Sequence, residues 1–179
     1  WLWSGGRNLA GEYFCGSDEH PQPWHDLSFD LRGNVAAAAS RQFSHDWASV
    51  RKRQPRKIAD LPPPAGDTGI AQYLPSGPDQ TEDTAQALLI DACFRADHRF
   101  MAITPYFVPG DGLRDALRLA ARRGVQVTIA IPQVSNHRMA DFVRARAMRD
   151  LARAGVIFKM LPFMAHAKAV VVDETLALC

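Results

Sequence analysis

The chain is poor in cysteine, nearly balanced in charge and free of long apolar runs. Its three cysteines, Cys15, Cys93 and Cys179, are an odd number at wide spacings, which excludes the disulfide framework of a small secreted domain. Cys93 lies in an apolar helical stretch and reads as a small buried hydrophobe. No set of Cys, His, Asp or Glu stands at ligand spacing, so neither a structural zinc nor any other metal is called for. The 21 basic and 19 acidic residues leave a formal charge of +2, too small to argue for nucleic acid or membrane through the field alone. Nothing approaches the roughly 18 consecutive apolar residues of a bilayer-crossing helix. What remains is ordinary globular composition, 47% apolar and 22% charged, in a chain long enough to bury roughly 70% of its unfolded surface.

Periodicity supplies the architecture. Residues 24–31 alternate apolar and polar as a half-buried strand does, and Gly33 ends them. Residues 35–53 read as a helix with Val35, Ala38, Ala39, Phe43 and Trp47 inward. A proline-rich loop around Pro62, Pro63 and Pro64 follows, then a short strand from Ile70 to Leu74, broken by the turn from Pro75 to Pro78. Asp79 with Glu82 forms a capping-box pattern for a helix through Ala96. Two strand-helix-strand units complete the pattern, with strands over residues 99–104, 125–131, 156–161 and 166–172. Asp111 is expected to cap one intervening helix, which Gly124 stops, and the other runs over residues 137–154. Strongly apolar strands alternating with helices predict an α/β fold: a mixed, largely parallel sheet covered by helices on both faces.

The chemistry concentrates in one stretch, His166-Ala-Lys168-Ala-Val-Val-Val-Asp173. Side chains alternate along a strand, so His166 and Lys168 share a side, and a proton-transfer group stands beside a fixed cation. Asp173 is an odd step away, next to Glu174 where the chain can turn, and reads as a structural anchor. Near the start, Gly5-Gly6-Arg-Asn8-Leu-Ala-Gly-Glu12-Tyr13 follows a short apolar run. Asn8 there could cap a helix. Asp26 taken by itself reads as a solvated strand carboxylate, and its neighbour His25 points to the other side. Thr104-Pro-Tyr106-Phe107-Val-Pro109 directly follows a strand, where α/β sheets bind ligands, which places Tyr106 as a pocket-lining residue.

The His-x-Lys-x4-Asp spacing resembles the signature of the phospholipase D superfamily. The Gly-Gly-x-Asn-Leu-Ala-x-Glu-Tyr element, the Trp-x-Asp strand, the Pro-Ser-Gly-Pro turn and the Thr-Pro-Tyr-Phe segment are similar to those of its bacterial cardiolipin synthases. The resemblance runs end to end, loosest over residues 53–69 and around Ser135-Asn136-His137. It implies two repeats, each with one motif. Residues 1–53 then form the last part of the first repeat, 54–69 a linker and 70–179 the second repeat, and the chain reads as an excerpt cut at equivalent points of both.

The resemblance further implies transfer of a phosphatidyl group through a phosphohistidine, without cofactor or metal, most concretely the making of cardiolipin from phosphatidylglycerol. His166 would be the general acid and base, Lys168 a phosphate ligand and Asp173 the third motif residue. Asn8 would contact phosphate and Asp26 orient a histidine. It implies phospholipid as substrate, a bacterial inner-membrane surface as the setting, and no nucleic-acid partner. Hydrolysis by the same residues, as in a phospholipase D or a nuclease, and a non-catalytic lipid- or partner-binding role are the rival functions. The arginines Arg138, Arg144, Arg146, Arg149 and Arg153 could meet anionic headgroups or simply be solvated.

Overall fold

The computed structural model describes residues 1–16, 18, 21–62, 69–77 and 82–179. The chain divides into two compact units, one of Trp1–Ser4 with Ser28–Ala85 and the other of Gly5–Leu27 with Gln86–Cys179.

Strand β1 (Leu2–Gly5) pairs with β2 (Ser28–Leu31), and helix α1 (Asn34–Arg51) follows. Gly33 turns the chain into α1 at φ 77°, a left-handed conformation suited to glycine. The helix buries Val35, Ala36, Ala37 and Ala48. Phe43 and Trp47, expected inward, are instead 66% and 53% exposed and stack on one another with centroids 6.0 Å apart. The five consecutive apolar residues from Val35 to Ala39 wrap the first turn, so the period does not single out one inner face. Ile70 to Leu74 forms no strand, and Ile70 is fully exposed. A short apolar run becomes a strand only against a neighbouring edge. The expected cap Asp79, together with Pro63, Pro64 and Pro78, lies outside the described residues.

Helix α2 (Thr84–Arg95) carries the chain into the second unit and leads to β3 (Arg99–Ile103), α3 (Asp111–Arg122), β4 (Gln126–Pro132), α4 (Arg138–Ala152), β5 (Ile157–Leu161), β6 (Ala169–Val172) and β7 (Leu176–Leu178). The strands form one mixed sheet in the order β5-β4-β3-β6-β7, with β3, β4 and β5 parallel and β6 antiparallel to both β3 and β7. The α/β expectation holds. Strand β7 was not read from the sequence, because three residues are too few to show a period. Val127, Ile129 and Ile131 alternate on β4 and are buried with Leu117, Ala120 and Leu151 of α3 and α4. On the other side Met101, Ile157 and Val171 keep 36–40% exposure, so covering on both faces is incomplete among the described residues.

Gly124 and Gly155 end α3 and α4 alike. At φ 94° and 104° each lets the following valine N–H, of Val125 or Val156, reach back to the carbonyl of Ala120 or Leu151. Asp111 is not the cap of α3. Gly110 holds that position, and Asp111 sits inside the first turn, paired with Arg114 at 2.7 Å. Cys93 is buried, and burial pushes its thiol up to about 12.

Asp173 closes the β6–β7 turn at φ 49°, a conformation Asp tolerates better than most residues. Its carboxylate accepts the backbone N–H groups of Asp97, His98 and Arg99 at 3.0, 2.9 and 2.8 Å, tying this turn to the start of β3. These bonds lower its pKa from 3.8 to about 2. The stability they contribute is complete above about pH 4 and is lost as pH falls towards 2. Asp173→Asn is expected to lower the thermal midpoint of the complete protein at neutral pH and to flatten its pH dependence across that acid window, as read by circular dichroism.

Candidate active site

The site is assembled within the second unit from two segments held side by side. The His25 N–H bonds the Met164 carbonyl at 2.9 Å and the His166 N–H bonds the His25 carbonyl at 2.7 Å, making a parallel bridge between His25 and Ala165. Alternation along these segments sends Trp24 and Asp26 to the side where His166 projects. His25 turns away and stacks on Phe163 at 4.3 Å. Regular strand β6 begins only at Ala169, so His166 and Lys168 lie on the extended approach to it and not within it as expected.

The Asp26 carboxylate lies 2.9 Å from His166 Nδ1, with the Asp26 side chain fully buried and that of His166 only 9% exposed. An anion at Nδ1 fixes the proton there and leaves Nε2 as the acceptor nitrogen of the ring. The second Asp26 oxygen accepts the Leu27 N–H at 2.7 Å. Gly6 makes this placement possible, because a Cβ there would meet the Asp26 oxygens at 2.6 and 3.0 Å. Gly6→Ala is therefore expected to displace Asp26 and lower turnover roughly ten- to a hundredfold, as loss of a histidine's orienting partner does. A circular dichroism spectrum unchanged beside that loss would separate misorientation from unfolding.

Tyr13 ends a 3₁₀ turn, Gly11–Tyr13, and is buried. Its hydroxyl accepts the Asn8 amide at 3.0 Å and lies 3.1 and 3.2 Å from His166 Nδ1 and Nε2. With the proton on Nδ1, the hydroxyl donates to Nε2. Burial raises the Tyr13 pKa, the negative charge of Asp26 adds to this, and the Asn8 bond opposes it. Trp24 stacks on the imidazole at 5.6 Å, and Tyr106 meets it edge-on at 6.1 Å while donating its hydroxyl to Asn136 at 2.6 Å.

Lys168 folds back on the same ring. Its ammonium donates to the His166 carbonyl at 2.8 Å and stands 3.0 and 3.3 Å from the two ring nitrogens. Burial lowers its pKa, with Asp26 partly opposing. If the charged ammonium is needed for turnover, the alkaline limb of kcat/KM falls below the ordinary lysine range. Lys168→Arg is expected to move that limb upward, because a guanidinium stays protonated throughout.

Asn8, Asp26, Tyr106, His166 and Lys168 thus converge, Asn8 through Tyr13 and not by direct contact. Asn8 caps nothing: Ala10 holds the cap position of the 3₁₀ turn. Asp173 stands apart from the cluster, bound to backbone as an anchor. Tyr13, Trp24 and Gly6 were given no role from sequence. Trp24 stands two residues before Asp26 on an alternating segment, and that spacing was the available signal. Of the arginines, Arg144 is not free to meet a ligand, since it is 5% exposed, paired with Asp141 at 2.9 Å and bonded to the Gln133 carbonyl at 2.9 Å. Among the described residues, no three His, Cys, Asp or Glu side chains are grouped to hold a metal ion. No helix among them is long and apolar enough to cross a membrane.

An anion placed against this cluster would meet the Lys168 ammonium, the Asn8 amide and an imidazole whose far nitrogen is held by a carboxylate. That set can neutralise charge on a phosphoryl group and move one proton. Residues 89–179 match the family described as cardiolipin synthase, phospholipase D-like domain. Cardiolipin synthase A of Pseudomonas putida strain W619 is 36% identical over 172 residues, covering 95% of this chain and 35% of the relative. Cardiolipin synthase A of Pseudomonas aeruginosa strain LESB58 is 34% identical over 175 residues, covering 97% and 35%. The chain thus spans about a third of the length of these relatives. The crystal structure of a phospholipase D family member, Nuc from Salmonella typhimurium, is 26% identical over 50% of this chain and 57% of that one, with a TM-score of 0.41.

Proposed function

The chain belongs to the cardiolipin synthase family with a phospholipase D-like domain, and we propose that it carries half of a site that transfers phosphatidyl groups between alcohols. In this reading an imidazole from a companion motif attacks phosphorus. The phosphorus–nitrogen bond forms as the phosphorus–oxygen bond to the leaving alcohol breaks, and His166 gives that oxygen its proton. The incoming alcohol then attacks phosphorus, its proton passes to His166, and the phosphorus–nitrogen bond breaks. Lys168 neutralises the phosphoryl oxygens and the Asn8 amide helps to position them. Phosphatidylglycerol as both donor and acceptor would yield cardiolipin and glycerol at a bacterial membrane surface.

The observation that carries the reading is the Asp26–His166 contact at 2.9 Å with Lys168 against the same ring. A carboxylate behind the imidazole orients the ring and fixes which nitrogen faces a substrate. Mass spectrometry of products from the complete protein and phosphatidylglycerol vesicles tests the reading. Cardiolipin with stoichiometric glycerol supports transfer, phosphatidic acid as the main product supports hydrolysis, and no lipid product refutes both.

A further inference from the structure

We propose that the outer face of α4 is a docking surface for an anionic phospholipid bilayer, seated beside the candidate site. The proposal rests on the phospholipid reading above and adds where the lipid surface is met. Helix α4 buries Arg144, Ala147 and Leu151. Its opposite face presents Met139, Phe142, Arg146 and Arg149, spaced three, four and three apart, so they form one row. Met139 is 75% and Phe142 81% exposed, although a helix facing only water would carry polar residues there.

The apolar pair of the row lies in the first turns of α4, with Arg138 exposed just before it. The row's apolar end is the one nearest the site: α4 starts from His137, whose ring lies 4.9 Å from Tyr106, and Tyr106 lies 6.1 Å from His166. Its cationic end follows one turn later. The two acids of α4, Asp141 and Asp150, are taken by Arg144 and Arg153, so Arg146 and Arg149 have no carboxylate partner among the described residues. Exposed aromatic and thioether side chains beside guanidinium groups that lack a carboxylate partner match a surface of acyl chains under phosphate headgroups. This complementarity of charge and polarity selects a lipid surface over a protein partner, which would more commonly bring acidic side chains to pair with the arginines.

The test uses the complete protein with F142W, compared with the unsubstituted protein to subtract its native tryptophans, four of which lie in this chain. On addition of phosphatidylglycerol-phosphatidylcholine vesicles, the added indole is expected to shift its emission to the blue and to be quenched by brominated acyl chains. Arg146→Gln with Arg149→Gln is expected to weaken the vesicle-dependent signal of F142W by about thirtyfold in lipid concentration, two surface cations being removed. The same double variant is expected to leave turnover of a dispersed short-chain phosphatidylglycerol unchanged. An unshifted, unquenched indole, or quenching that persists undiminished in the double variant, overturns the proposal, as does occupation of this face by a protein segment. Because insertion is read without turnover, a protein that inserts but transforms no lipid refutes the catalytic reading alone.

Discussion

His166→Asn is expected to lower turnover of the complete protein by at least about a thousandfold, the upper part of the range for removing a general acid and base. Asparagine has no group that titrates near neutrality, so neither the leaving nor the incoming alcohol exchanges a proton with the site. The fold should survive. The Asn amide can still donate to Asp26, which otherwise would be left as a buried unpaired carboxylate. The cost in stability is confined to the ring's contacts with Tyr13 and Trp24, about 1–2 kcal/mol. Steady-state kinetics beside a thermal melt checks both parts, and normal turnover in the variant would remove His166 from the mechanism.

Lys168→Ala is expected to lower turnover by about a hundred- to a thousandfold, comparable to removing a preorganised donor from a developing anion. Its stability effect should be small, since much of the Lys168 side chain stays exposed and, among the described residues, its ammonium bonds the His166 carbonyl and ring. The loss should appear in kcat as well as in kcat/KM if the ammonium meets charge that grows towards the transition state. A rise confined to KM would make Lys168 a substrate-binding group alone.

The strands and helices of the second unit were legible because their signals are local. Val127, Ile129 and Ile131 alternate, Ala116, Leu117 and Ala120 repeat at helical spacing, and glycines stand where the helices stop. The shared side of His166 and Lys168 followed from strand alternation, although neither residue lies in a regular strand. Where tertiary contacts decide, the sequence said less. Phe43 and Trp47 have the spacing of a buried row, yet the alanines take the interior. The role of Tyr13 arises only when two distant segments are clamped by the His25–Ala165 bridge. Likewise nothing local to Gly6 announces that Asp26 needs the space its missing Cβ leaves.

The most direct test of the account is a rapid-mixing measurement with a phosphatidyl ester of p-nitrophenol. The central claim makes His166 an acid and base and assigns attack on phosphorus to another imidazole. Nitrophenolate leaves without needing a proton, so the complete His166→Asn protein should still release a burst equal to the enzyme present. It should then stop, because no base accepts the proton of the incoming alcohol. A burst of that size followed by arrested turnover is the predicted result. Absence of any burst, with the fold intact by thermal melt, would contradict the account and make His166 the attacking group.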